Sequence, residues 1–368
     1  MKRIFFAFCL TFLVAVGLNA QPVGEFSYDG HSRRMYAGSE MRYAFDKFGA
    51  ERYPEWRDSL RGAIAGALGM DVIARANPGF VPEAVQLDME DLGYAVRQRW
   101  KIKTEEDVWL PVIIMFPKGV NGPVPLLLTP HGHAKNTERA AGVYMNEEDR
   151  KKGEEGERDI AVQAAKFGFV AIAPTERGFG ETRSATDITA DNTSSCRDLM
   201  LRDLLVGRTP VGDRVWDIMR ILDWALVNLP VDSRNVIITG NSGGGTVSLY
   251  AAALDERISM SLPGSAFATF EGSIGFRRHC ECNYIPGILN LCEAGEIAGL
   301  TAPRPFCAVN GAYDKLFPIE SAREAFSVTK EIYGASGSPD NCELYVGDGG
   351  HRYYKKGAWD FIFRHLVK

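Results

Sequence analysis

A chain of 368 residues, 45% hydrophobic and 24% charged, carries enough apolar material for a large buried core. Its formal net charge of -5 leaves no basic surplus to follow a phosphate backbone, so nucleic acid is excluded as an expected partner.

At the N-terminus, Lys2 and Arg3 precede an apolar run over 4–18, and Asn19-Ala20-Gln21 offers a small residue for cleavage. This predicts a secretory signal peptide over 1–20 and a secreted or periplasmic product. The run is shorter than the roughly 20 residues a spanning helix needs, so no membrane insertion is expected. Cys9 sits inside the run and not at the cleavage point, so no lipid anchor is predicted.

Residues 21–90 read as an N-terminal arm with a helical extension. Over 21–50 the chain is polar and mixed without a sustained period, which predicts an extended arm. Leu60, Ile64, Ala67 and Leu68 then recur at helical spacing, predicting an amphipathic helix over 56–72. Pro78, Gly79 and Pro82 interrupt the pattern before the first sheet segment.

From residue 91 to 368 the pattern is that of one α/β domain. Tyr94, Val96, Trp100 and Ile102 alternate with Arg97, Arg99, Lys101 and Lys103, and a second alternating run follows over 108–116, predicting an antiparallel hairpin at a sheet edge. Short continuous apolar runs over 124–129, 169–173, 236–239, 258–262, 306–309 and 343–346 read as strands buried on both faces. Helical stretches at 159–167, 213–229, 246–254, 320–332 and 359–366 separate or follow them. Such alternation implies a mostly parallel sheet covered on both faces. An insertion is expected at about 266–300.

Ligands of such sheets lie beyond the carboxyl ends of the strands. There, Val236-Ile237-Ile238-Thr239 runs into Gly240-Asn241-Ser242-Gly243-Gly244-Gly245 and then into a helical segment. This is G-x-S-x-G in the strand, sharp turn and helix setting of a nucleophile elbow, which makes Ser242 the candidate nucleophile. A phosphate loop would carry a lysine after its last glycine, where Thr246 stands.

A serine hydroxyl needs a base, and His351 follows the last strand in Asp348-Gly349-Gly350-His351, with His279 in reserve. The base needs a carboxylate to orient it. Asp314, beyond the run over 306–309, keeps the order Ser, Asp, His, and Asp348 is its rival. The backbone N–H groups of Gly243 and of His133, in Pro130-His131-Gly132-His133, are the expected oxyanion donors.

Six cysteines follow the leader: Cys196, Cys280, Cys282, Cys292, Cys307 and Cys342. Both disulfides and buried free thiols are open to them. His279-Cys280-Glu281-Cys282 lacks a second ligand pair at a recognised zinc spacing, so neither metal nor cofactor is expected.

Three segments carry a resemblance: His131-Gly132-His133, Arg177-Gly178-Phe179-Gly180-Glu181 and Gly240-Asn241-Ser242-Gly243-Gly244. With them, residues 90–368 resemble the secreted acetyl xylan esterase-like, dienelactone hydrolase-related α/β-hydrolases, relatives of the cephalosporin C deacetylases. The resemblance implies the α/β-hydrolase fold, a serine esterase acting on O-acetyl groups of plant-type carbohydrates, and a loop-bracing role for Arg177. The chain departs from the deacetylase pattern at Phe179, Gly243 and Arg352, where a glutamine, a glutamine and a glutamate are usual. Gly243-Gly244 also suits a serine peptidase of the prolyl oligopeptidase type, and a catalytically silent glycan-binding protein is the alternative from another class. The sequence predicts no oligomeric state.

Overall fold

The structure, a computed structural model, describes residues 27–368. The predicted signal peptide and the start of the arm lie outside these residues. The described residues divide into two units, one ending at Ser39 and the other spanning Glu40–Lys368.

In the first unit, α1 spans Asp29–Ala37, a helix where the sequence suggested an extended arm. Asp29 in its first turn and Arg34 in its last complement the helix dipole, which a search for apolar periodicity overlooks.

The second unit opens with two helices where one was expected. Helix α2 covers Tyr53–Leu68 and ends at Gly69, whose φ of 79° and N–H bonds to Ala65 and Gly66 carbonyls make a left-handed cap before α3, Met70–Ala76. A Cβ on Gly69 would stand 2.4 Å from the Gly207 carbonyl oxygen, so the break is set by close approach as well as by φ.

The sheet begins with β1, Ala84–Asp91, which the sequence reading passed over. It continues through β2, Ala95–Glu105, and β3, Val108–Pro117, the expected hairpin. The remaining elements in chain order are β4 Val124–Leu128, α4 Glu147–Glu155, α5 Ile160–Lys166, β5 Val170–Pro174, α6 Ala185–Thr189, α7 Cys196–Val206 and α8 Pro210–Asn228. They are followed by β6 Val231–Asn241, α9 Gly243–Leu254, β7 Met260–Gly264, α10 Ala294–Gly299, β8 Phe306–Gly311, α11 Ile319–Ala335, β9 Cys342–Gly347 and α12 Lys355–His365.

The spatial order is β1-β2-β3-β5-β4-β6-β7-β8-β9. The pairings β1 with β2, β2 with β3 and β3 with β5 are antiparallel, and the others are parallel.

Burial on both faces explains the apolar runs. Leu126, Leu128, Val236 and Ile238 face a core filled by α2, α8, α9, α10 and α11. Leu127, Ile237, Leu262 and Val309 face a second core filled by α5 and α12, with Trp359, Phe361 and Ile362 prominent in it. The two layers fix the parallel strands so that their carboxyl ends open on one edge, where β6 and β8 end beside the loops after β4 and β9.

Candidate active site

β6 delivers the chain into a sharp turn at Ser242, whose φ of 59° and ψ of -121° lie outside the regions an L-residue ordinarily occupies. The turn is clamped on both sides: the Ser242 N–H donates to the Gly264 carbonyl at 2.7 Å, and the Ser242 carbonyl accepts from Thr246 at 3.0 Å. The surrounding glycines are demanded by contact. A Cβ on Gly240 would lie 2.3 Å from the Pro130 oxygen, on Gly244 2.0 Å from the same atom, and on Gly132 2.5 Å from the Asn241 oxygen. The loop after β4 is thus pressed backbone to backbone against the serine turn.

Behind the turn stands a histidine held by a carboxylate. His351 Nδ1 lies 2.8 Å from Asp314 Oδ2, and the other oxygen, Oδ1, accepts from the N–H groups of Leu316 at 2.8 Å and Phe317 at 3.2 Å. Burial alone would raise the Asp314 carboxyl. The hydrogen bond and charge of His351, with the two N–H groups, overcome it and hold the carboxyl below its usual value. Phe317 stacks on the His351 ring with centroids 6.1 Å apart and planes 13° from parallel, which fixes the ring's tilt. The rival Asp348 is exposed at the surface, and Asp314 is the carboxylate in contact with His351.

Ser242, Gly243, His133 and His351 line one cavity of about 350 Å³. Gly243 opens α9, so its N–H has no carbonyl one turn back in the helix to bond. The His133 ring lies beside it, 3.3 Å from where a Gly243 Cβ would be. His279 also lines the cavity, but its Nε2 faces the Leu316 carbonyl and Ser273 Oγ, at 3.3 and 3.1 Å.

The two histidines of His131-Gly132-His133 part company. His131 is buried, its Nδ1 2.6 Å from the Gly132 oxygen, while Nε2 accepts from the Glu176 N–H at 3.0 Å. Burial pushes its pKa down to about 4, so it is a neutral hinge pin for two loops.

Arg177 is not at the cavity. Its guanidinium is buried against Asp217 at 2.6 and 2.8 Å, Asp213 at 3.3 Å and Glu105 at 2.5 Å. It ties the loop after β5 to α8 and to the end of β2.

Sequence reasoning missed the cationic wall of the cavity, formed by Arg139, Arg158 and Arg278. Arg139 and Arg158 lie between β4 and α5, where no apolar pattern guides a reading. It also missed a cluster at the cavity's rim, where His133 meets Cys196, Cys280 and Cys282.

A mostly parallel sheet, a strained serine turn at the carboxyl end of β6, and a histidine–carboxylate pair beyond β8 and β9 define an α/β-hydrolase. The chain belongs to the Abhydrolase family, whose family model it matches over residues 25–353. It is similar to the provisionally named hydrolase YtaP of Bacillus subtilis (strain 168), at 24% identity over 244 residues, 66% of this chain and 77% of that protein. It is also similar to 4-O-methyl-glucuronoyl methylesterase 1 of Wolfiporia cocos (strain MD-104), at 27% identity over 211 residues, covering 48% of this chain and 51% of that enzyme. Among solved structures, one provisionally named an acetyl xylan esterase, from Bacteroides fragilis NCTC 9343, superposes with a TM-score of 0.70 at 20% identity, over 90% of this chain and 83% of that one.

Proposed function

We propose that this chain is a secreted serine esterase that hydrolyses carboxylic esters on carbohydrates, O-acetyl groups first among them. The observation that carries the reading is the 2.8 Å contact of His351 with Asp314, on the cavity that the strained Ser242 turn also lines. Asp314 holds the proton on Nδ1, which leaves Nε2 free to take the proton of Ser242 Oγ as that oxygen attacks the ester carbonyl. The N–H groups of Gly243 and His133 receive the oxyanion. Collapse of the tetrahedral intermediate returns the proton to the departing sugar hydroxyl and leaves an acyl group on Ser242. Water, deprotonated by the same imidazole, then releases the acid and restores the serine.

Acetyl is supported by the likeness to the Bacteroides fragilis structure. A second reading, an ester of a uronic acid carboxyl group, is supported by the methylesterase relative and by Arg158 and Arg278 on the cavity wall, which suit a polymer bearing free uronates near the reacting ester; Arg139 beside them is engaged by Asp149. Mass spectrometry of products from acetylated and methyl-esterified glycans separates the two: acetate is expected as the main acid, and methanol with no acetate would transfer the assignment to the second reading. Ser242→Ala should abolish either product, and a variant that keeps the rate would end the serine mechanism.

A further inference from the structure

Three segments distant in sequence bring sulfur and nitrogen donors to one point beside the cavity. His133 comes from the loop after β4, Cys196 opens α7, and Cys280 and Cys282 flank the turn at 281. Their four donor atoms all lie within 4.8 Å of one another. Cys282 Sγ is 3.4 Å from Cys280 Sγ and 3.3 Å from His133 Nε2. Donors bound at about 2.3 Å for sulfur and about 2.0 Å for nitrogen, spread tetrahedrally, are roughly 3.5–3.8 Å apart. The Cys282 contacts need to open by only a few tenths of an ångström, and no pair of donors is farther than 4.8 Å apart, so small side-chain adjustments bring the four to an ion.

The surroundings suit a charged centre. Arg214 is buried beneath the sulfurs, its Nη2 3.6 Å from Cys196 Sγ and 2.8 Å from the Arg177 carbonyl. Its guanidinium meets the Glu176 carboxylate at 3.5 Å. Three thiolates with a neutral imidazole carry three negative charges, opposed by a divalent cation and by the Arg214 guanidinium that Glu176 shares. Phe179 closes one side with its ring centroid 5.5 Å from that of His133, packed with Cys196 and Cys282 away from water.

We propose that His133, Cys196, Cys280 and Cys282 form a closed tetrahedral site for a thiophilic divalent cation, zinc, at the rim of the cavity. All four positions are filled by protein, so the ion is structural and leaves no open place for substrate. It pins the loop whose His133 N–H faces the oxyanion to α7 and to the turn at 281. The proposal does not rest on the esterase reading, because metal content is measured without substrate.

The test uses the purified full chain, with elemental analysis by plasma mass spectrometry, followed by cobalt(II) titration of the chelator-stripped protein. Expected are one zinc per chain and, with cobalt, the thiolate charge-transfer and intense visible bands of a tetrahedral site. Cys280→Ser, at the half-exposed edge, should bind the ion at least about tenfold more weakly. Cys342→Ser, outside the cluster, should bind as the parent does. A parent chain that takes up neither ion, or an unreduced digest in which Cys196 is cross-linked to Cys280 or Cys282, would overturn the site.

Discussion

Ser242 occupies a backbone state that costs a residue with a Cβ on the order of 1–3 kcal/mol, and the strain is sustained by what surrounds it. The clamp is the zero-clearance packing of Gly132, Gly240 and Gly244 against Pro130 and Asn241. Gly244→Ala should therefore lower stability by about 3 kcal/mol or more through overpacking, measured by denaturant unfolding. Asp314→Asn tests a different link: the fold should hold, while the His351 tautomer is no longer specified and kcat drops by about 10³–10⁴-fold. A variant with near-parental kcat would remove Asp314 from the mechanism. Ser242 and Asp314 could be proposed from the sequence because each follows a buried strand in a fixed chain order. The Cys196, Cys280, Cys282 and His133 cluster could not, because its members approach one another only after α7 and the turn at 281 pack against the loop after β4.

Elements are held near the site by a buried ion network in place of direct contact with substrate. Glu105 at the end of β2 accepts from Arg208 at 2.6 Å and pairs with Arg177, and Asp213 and Asp217 of α8 complete the set. Burial would raise the Glu105 carboxyl, but Arg208 and Arg177 outweigh it and hold the value at about 2. A depressed carboxylate stabilises the fold above its unfolded pKa, and that stability is lost as pH falls through the folded one. Glu105→Gln should thus cost on the order of 3 kcal/mol at neutral pH. Its deficit relative to the parent should shrink between about pH 4.5 and 2, and a pH-independent deficit in thermal unfolding would contradict this. The same scale shows why some elements escaped sequence reading. β4 through β8 announce themselves because their apolar runs are buried on both faces, whereas β9, at the far edge, is half-buried. β1 is an edge strand whose Val85, Leu87 and Met89 are exposed, so its alternation points to no core. α7 carries Leu201, Leu204, Leu205 and Val206 on its exposed side, which blurs the amphipathic pattern.

At the scale of the whole chain, the two-faced sheet serves to hold one edge still. The loops after β4, β6, β8 and β9 meet there, and they bring, in that order, His133, Ser242, Asp314 and His351, the oxyanion donor, nucleophile, carboxylate and base of the proposed mechanism. Their convergence from four separate stretches of the chain, at 133, 242, 314 and 351, is the central claim, and it is chemical as well as geometric. A fluorophosphonate reacts only with a serine whose proton is being withdrawn beside an oxyanion site, so the most direct measurement is labelling of the intact chain followed by peptide mass spectrometry. The account predicts one adduct, on Ser242, formed by the parent and lost when His351 is replaced by Ala. An unlabelled parent chain, or an adduct on another residue, would contradict it.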